Sequence, residues 1–147
     1  MNAPAAAALL PTPAPPTDVV LYIVDDDPAV RSALQLLTHC CGWRARSFDS
    51  GAAFLDAQLD DCAACVLLDL NMPHMDGEEV LRQLAARGSQ LPVVVITGDR
   101  QGARLDRVRR LGARDVLEKP FGEHAFMRAV LGAIGQPQAA ESGHKLG

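Results

Sequence analysis

Three unbroken apolar runs constrain the fold of this chain more than any other feature of its sequence. They read VVLYIV from Val19 to Val24, VLL from Val66 to Leu68, and VVVI from Val93 to Ile96. None alternates apolar with polar residues, so none suits a strand with one face in water. Each suits a strand covered on both faces, as in a parallel sheet between two layers of helices. Helical spacing fills the segments between them. Val30, Ala33, Leu34, Leu37 and Cys41 recur on one side of a helix that Asp27 caps and Pro28 opens, and Gly42 stops it. Asp49-Ser50 opens a short second helix carrying Phe54 and Leu55. Asp76 caps a third, with Glu79 in capping-box position and Val80, Leu81 and Leu84 as its apolar stripe. A basic helix is expected from about Gly102 to Leu111, closed by Gly112. A last one starts near Gly122 and carries Phe126, Met127, Val130, Leu131 and Ile134 on one side.

Two shorter strands complete the set. WRARSF, from Trp43 to Phe48, alternates and places Arg44 and Arg46 on one face; DVLE, from Asp115 to Glu118, is short and acidic at both ends. Both suit edges, which leaves the three apolar strands for the centre. Five strands alternating with five helices, joined by right-handed crossovers, make a doubly wound α/β domain with a five-stranded parallel sheet. The edge and centre assignments select the flavodoxin-like order 2-1-3-4-5. The domain is expected over residues 18-135. Residues 1-17, rich in Ala and Pro, read as a disordered lead, and 136-147 as a flexible tail.

A formal net charge of -4 argues against non-specific binding of nucleic acid. No apolar run approaches a membrane span, and the proline-broken N-terminus lacks the basic start of a signal peptide. These features point to the cytoplasm. Cys62 and Cys65 have metal-ligand spacing, and Cys40-Cys41 could complete a four-thiolate set. Adjacent cysteines make awkward tetrahedral ligands, so the four read instead as small buried hydrophobes in a reducing compartment.

Ligands of doubly wound sheets bind beyond the carboxyl ends of the strands. The first strand ends in Asp25-Asp26, the third in Asp69, the fourth in Thr97 and the fifth in Lys119-Pro120. Three carboxylates, a hydroxyl and an ammonium therefore converge on one crevice. Three carboxylates at low dielectric repel strongly unless a hard cation joins them, and oxygen ligands with places left for water favour Mg²⁺ over a caged Ca²⁺. A carboxylate in such a site can attack phosphorus and form an aspartyl phosphate. The sequence lacks a Gly-rich phosphate loop of P-loop type, so the phosphoryl group is expected from a donor other than a bound nucleotide.

VDDDPAVR, VLLDLNMPHMDG, VVVITGD and GARDVLEKPF, in that order and spacing, resemble the signature blocks of response-regulator receiver domains of two-component signalling, FixJ-like receivers in particular. The likeness covers about residues 18 to 134. It implies that Asp69 accepts a phosphoryl group from a histidine kinase or a histidine phosphotransfer protein. It also implies that Asp25, Asp26, Asp69 and the main-chain carbonyl of Asn71 hold Mg²⁺. Lys119, joined to Pro120 by a cis bond, would pair with Asp69 and then with the phosphate, and Thr97 would swing its hydroxyl onto it. Such a protein catalyses only its own phosphorylation and dephosphorylation, the latter at a rate tuned from the positions of Asn71 and Asp99. Many receivers carry Tyr or Phe three residues before the lysine; here Val116 stands there, too short for a large in-out rotation. Asp27 reads as a helix cap and His74 as a solvated loop residue.

The runner-up is the isolated receiver half of a DNA-binding regulator, with no element in this chain that itself contacts nucleic acid. A haloacid-dehalogenase-like phosphatase would need an acid two residues after Asp69, where Asn71 stands. Arg100, Arg104, Arg107 and Arg110 recur at helical spacing along the fourth helix. They read either as a solvated face beside Asp106 and Asp115, or as a partner surface, including a homodimer through helix four and strand five.

Overall fold

The computed structural model describes residues 18–59, 63–98 and 102–135. Five parallel strands, β1 Val19–Val24, β2 Arg44–Phe48, β3 Ala63–Asp69, β4 Val93–Thr97 and β5 Asp115–Glu118, alternate there with α1 Pro28–Cys40, α2 Gly51–Asp56, α3 Gly77–Ala86, α4 Gly102–Arg110 and α5 Glu123–Gly135. The sheet order is β2-β1-β3-β4-β5, with the two polar strands at the edges as expected. The expected lead and tail, Cys62, Asp99 and Arg100 lie outside the described residues.

The continuous apolar runs are explained by two core layers. Alternate residues of one strand point to opposite faces of the sheet. Val20, Tyr22, Val24, Val66, Leu68, Val93 and Val95 pack with Phe54 and Leu55 of α2, Val80, Leu81 and Leu84 of α3, and Val108 of α4. Val19, Leu21, Ile23, Cys65, Leu67, Val94 and Ile96 pack with Leu34 of α1 and with Phe126, Ala129 and Val130 of α5. Helices therefore cover both faces, and each fully buried Val, Leu or Ile contributes about 1.5–3 kcal/mol relative to exposure.

Local signals set most of the helix ends. Asp27 accepts a hydrogen bond from the Ala29 N–H at 2.9 Å, and Ser50 does the same for Ala53 at 3.1 Å. α4 closes through Gly112 at φ +112°, whose N–H donates to the Arg109 carbonyl. Asp76 caps α3 by accepting from the Glu79 N–H at 3.1 Å. The return half of the expected capping box is replaced: the Glu79 carboxylate takes Arg82 and Gln83 of its own helix instead. β2 starts one residue later than the alternation suggested, because the Trp43 N–H donates to the Thr38 carbonyl at the end of α1.

The cysteines divide. Cys65 is buried in β3, and burial pushes its thiol up to about 12, so it is an inert core residue. Cys40 is exposed at the end of α1, which corrects the expectation of a buried hydrophobe there. Among the described residues the only His/Cys/Asp/Glu group able to hold a metal is an acidic one.

Candidate functional site

Parallel register brings the polar strand ends together. Val24 of β1 stands opposite Leu68 of β3, Asp69 opposite Ile96 of β4, and Thr97 opposite Glu118 of β5. Asp25 and Asp26 therefore leave β1 beside the end of β3, and Lys119 leaves β5 beside Thr97. Each of Asp25, Asp26 and Asp69 offers a carboxylate oxygen within 4.8 Å of the others. Lys119 places Nζ 3.7 Å from Asp69 Oδ1, and its peptide bond to Pro120 is cis.

Three carboxylates and one ammonium leave this crevice short of positive charge. Asp25 is buried; its Oδ1 accepts from the Asp27 N–H at 2.9 Å, while its Oδ2 is buried with no hydrogen-bond partner. An orphaned carboxylate oxygen is costly, and two further carboxylates lie close to this residue. Burial raises the Asp25 carboxyl above its ordinary range, against the opposing effects of the Asp27 N–H and Lys119. Asp69, 5% exposed, is raised from 3.8 to about 6 by burial first and by the Asp25 charge second; Lys119 and the Asn71 N–H pull the other way. The donor set is all oxygen, crowded and under-compensated, which fits a hard divalent cation such as Mg²⁺.

Close backbone packing shapes the crevice wall. The Gly77 N–H donates to the Leu70 carbonyl at 3.1 Å. A Cβ on Gly77 would lie 2.7 Å from the Asp69 carbonyl oxygen and 2.9 Å from Leu70 Cα. Only glycine lets the start of α3 come this near to the end of β3. Thr97 is fully buried at the end of β4. Val116, opposite Val95, is half-buried against the layer that α3 and α4 cover. His74 is exposed with φ +69°, a turn conformation in the loop between β3 and α3.

Sequence reasoning missed Glu78. Its carboxylate, 9% exposed, sits between two arginines of α4: Arg104 Nε donates to Oε2 at 2.9 Å, and Arg107 Nε and Nη2 donate to Oε1 and Oε2 at 3.1 and 3.2 Å. These hydrogen bonds, that of Arg107 foremost, hold the Glu78 carboxyl below its ordinary range. Of the expected basic stripe, Arg104 and Arg107 therefore face α3, and Asp106 and Asp115 are not their counterions among the contacts seen. Arg110 is exposed. The available signal was the first acid of the Glu78-Glu79 pair, together with two arginines spaced by three on a later helix.

The sequence pattern of the response regulator receiver domain matches residues 21–131. The chain is 37% identical over 130 residues to the transcriptional regulatory protein FixJ of Azorhizobium caulinodans, which covers 88% of this chain and 61% of that protein. It is 38% identical over 115 residues to the response regulator protein TmoT of Ectopseudomonas mendocina, covering 78% of this chain and 52% of that one. The crystal structure of FixJ-N superposes with a TM-score of 0.76 at 32% identity, over 83% of this chain and 98% of that one. The chain thus spans between half and two thirds of the length of these two curated relatives.

Proposed function

This chain belongs to the response-regulator receiver family of two-component signalling, and on that premise we propose that Asp69 is its phosphoacceptor and that Asp25, Asp26, Asp69 and the Asn71 main-chain carbonyl hold Mg²⁺. The observation that carries the proposal is the buried, unpartnered Oδ2 of Asp25 beside the raised Asp69 carboxyl and the Lys119 ammonium.

In the proposed reaction an ionised Asp69 oxygen attacks the phosphorus of a phosphohistidine on a kinase or phosphotransfer protein. A P–O bond forms as the P–N bond breaks, and the electron pair leaves with the imidazole nitrogen. A bound Mg²⁺ supplies positive charge that offsets the phosphoryl oxygens as they approach the acidic crevice. Lys119, already 3.7 Å from Asp69, stays within reach of the new phosphoryl oxygens. Thr97, at the end of β4, is the hydroxyl positioned to report the new charge to α4, since only residues 98–101 separate it from that helix. With Val116 in place of an aromatic residue, that report would rest on Thr97 and the backbone after it.

The output surface in this reading is α4 with β5. Arg104 and Arg107 are engaged with Glu78 in the arrangement described above, so a partner or second copy would meet Arg110 and the acidic edge of β5 first. Acetyl phosphate with Mg²⁺ tests the chemistry. Intact mass should show one phosphoryl adduct, labile to hydroxylamine and absent from Asp69→Ala. A full adduct on Asp69→Ala would refute the assignment, and turnover of a small phosphomonoester would point to a phosphatase instead.

A further inference from the structure

Arg104 does more than pair with Glu78. From α4 it reaches the loop that follows Asp69: Nη1 donates to Asn71 Oδ1 at 2.7 Å, and Nη2 donates to the Leu70 carbonyl at 3.2 Å. The planar guanidinium thus joins three groups of the β3–α3 segment at once: the Glu78 carboxylate, the Leu70 carbonyl and the Asn71 amide. Its side chain is 16% exposed, and the carboxylate that anchors it is 9% exposed. A planar fork held at several points is pre-organised, in contrast to a surface arginine in water.

The contact dictates the orientation of Asn71. A guanidinium has donors only, so the amide oxygen must face Arg104 and the NH₂ group must point away from it. Asn71 is exposed, so nothing else of comparable strength restrains its side chain among the contacts seen. Its main-chain N–H meanwhile pulls the Asp69 carboxyl down. The residue whose backbone acts on the phosphoacceptor is therefore the residue whose side chain α4 holds.

Resting on the phosphoacceptor reading above, we propose that Arg104 is a positioning residue for loss of phosphate: by holding Asn71 Oδ1 it keeps that oxygen from orienting the attacking water, so the lifetime of the aspartyl phosphate depends on whether α4 is docked. In the hydrolysis, the water oxygen bonds to phosphorus, and the bond from phosphorus to the Asp69 oxygen breaks with its electron pair. The carboxylate is regenerated, and both water protons end on the released dihydrogen phosphate. An amide oxygen that accepts a hydrogen bond from that water aligns it for attack. An amide oxygen occupied by a cation is a poor acceptor. Any movement of α4 that withdraws Arg104 would release Asn71 and shorten the signal.

The test uses the full chain, loaded with acetyl phosphate and Mg²⁺ and then freed of the donor, with decay followed by intact mass. Arg104→Ala should shorten the lifetime on the order of fivefold, the effect of one well-oriented hydrogen bond. Arg104→Lys keeps the charge beside Glu78 without the planar fork and should decay as fast as Arg104→Ala while melting closer to wild type. Arg107→Ala removes two hydrogen bonds from the same Glu78 carboxylate without touching Asn71, and should leave the lifetime unchanged. In an Asn71→Ala background, Arg104→Ala should have no further effect. A second readout needs no phosphate: the Asn71 side-chain amide resonances should be restrained in the wild-type protein and averaged in Arg104→Ala. An unchanged lifetime in a fully loaded Arg104→Ala, or an equal shortening in Arg107→Ala, would overturn the proposal. So would restrained Asn71 amide signals in Arg104→Ala. Failure of the wild-type chain to form any adduct would instead overturn the phosphoacceptor reading, and this inference with it.

Discussion

Replacing Asp69 by Asn should stabilise the metal-free protein, although it destroys the proposed phosphoacceptor. Asp69 ends a buried strand, and its carboxyl is raised from 3.8 to about 6, chiefly by burial and then by Asp25. A folded-state value above the unfolded one means that the native protein holds a proton which the unfolded chain releases. Stability therefore falls as pH rises from about 4 to about 6, and the penalty is complete above that window. A shift of about 2 units corresponds to about 3 kcal/mol at neutral pH. The attraction of Lys119, 3.7 Å from Asp69, is already contained in that net shift, so neutralising Asp69 gains about 2–3 kcal/mol. For a domain of this size that is on the order of 5–10 °C in melting temperature. The assay is thermal unfolding of wild type and Asp69→Asn in a chelating buffer at pH 7.5 and at pH 4. The variant should melt higher at pH 7.5, and the gap should close at pH 4, where wild-type Asp69 is protonated. Mg²⁺ should narrow the gap at pH 7.5, since a cation bound to the native state stabilises wild type more than a variant lacking one ligand. An Asp69→Asn protein less stable than wild type at pH 7.5 would refute the view that the carboxylates are under-compensated. So would a gap that persists unchanged at pH 4.

Gly77→Ala should cost about 1–3 kcal/mol in urea unfolding, because the new methyl meets the Asp69 carbonyl oxygen at 2.7 Å and main-chain atoms cannot yield as a flexible side chain would. Glu78→Gln should destabilise by about 1–2 kcal/mol, less than a fully buried pair because Arg107 is 47% exposed. The folded-state carboxyl of Glu78 is held low, so its contribution is present above the ordinary glutamate range and is lost as pH falls through the depressed value; unfolding at pH 3 and pH 7 should show the difference between variant and wild type shrinking in acid. Asp26→Ala should weaken Mg²⁺ binding by about an order of magnitude in calorimetric titration, and an unchanged titration would remove Asp26 from the ligand set.

The sequence by itself determined the strands, their centre and edge places, and the groups that stand at their carboxyl ends. These features are local: an unbroken apolar run, a cap such as Asp27 or Asp76, a Gly in the left-handed region after a helix. Each can be read within a few residues, and a parallel sheet with helices on both faces is the arrangement that accommodates them. Given that arrangement, Asp25, Asp26, Asp69 and Lys119 had to meet, since the ends of neighbouring parallel strands share one rim. Only the tertiary structure decided what lies between the elements. Arg104 meets Asn71 across 33 positions and Glu78 across 26, and a basic stripe looks the same in sequence whether it faces water or a buried carboxylate. The capping box was half right for the same reason: Asp76 acts within its own turn, whereas the partner of Glu79 depended on where Arg82 and Gln83 came to lie. The raised carboxyl of Asp69 likewise depends on how deeply packing excludes water and how near Asp25 comes, distances that folding sets and periodicity does not record.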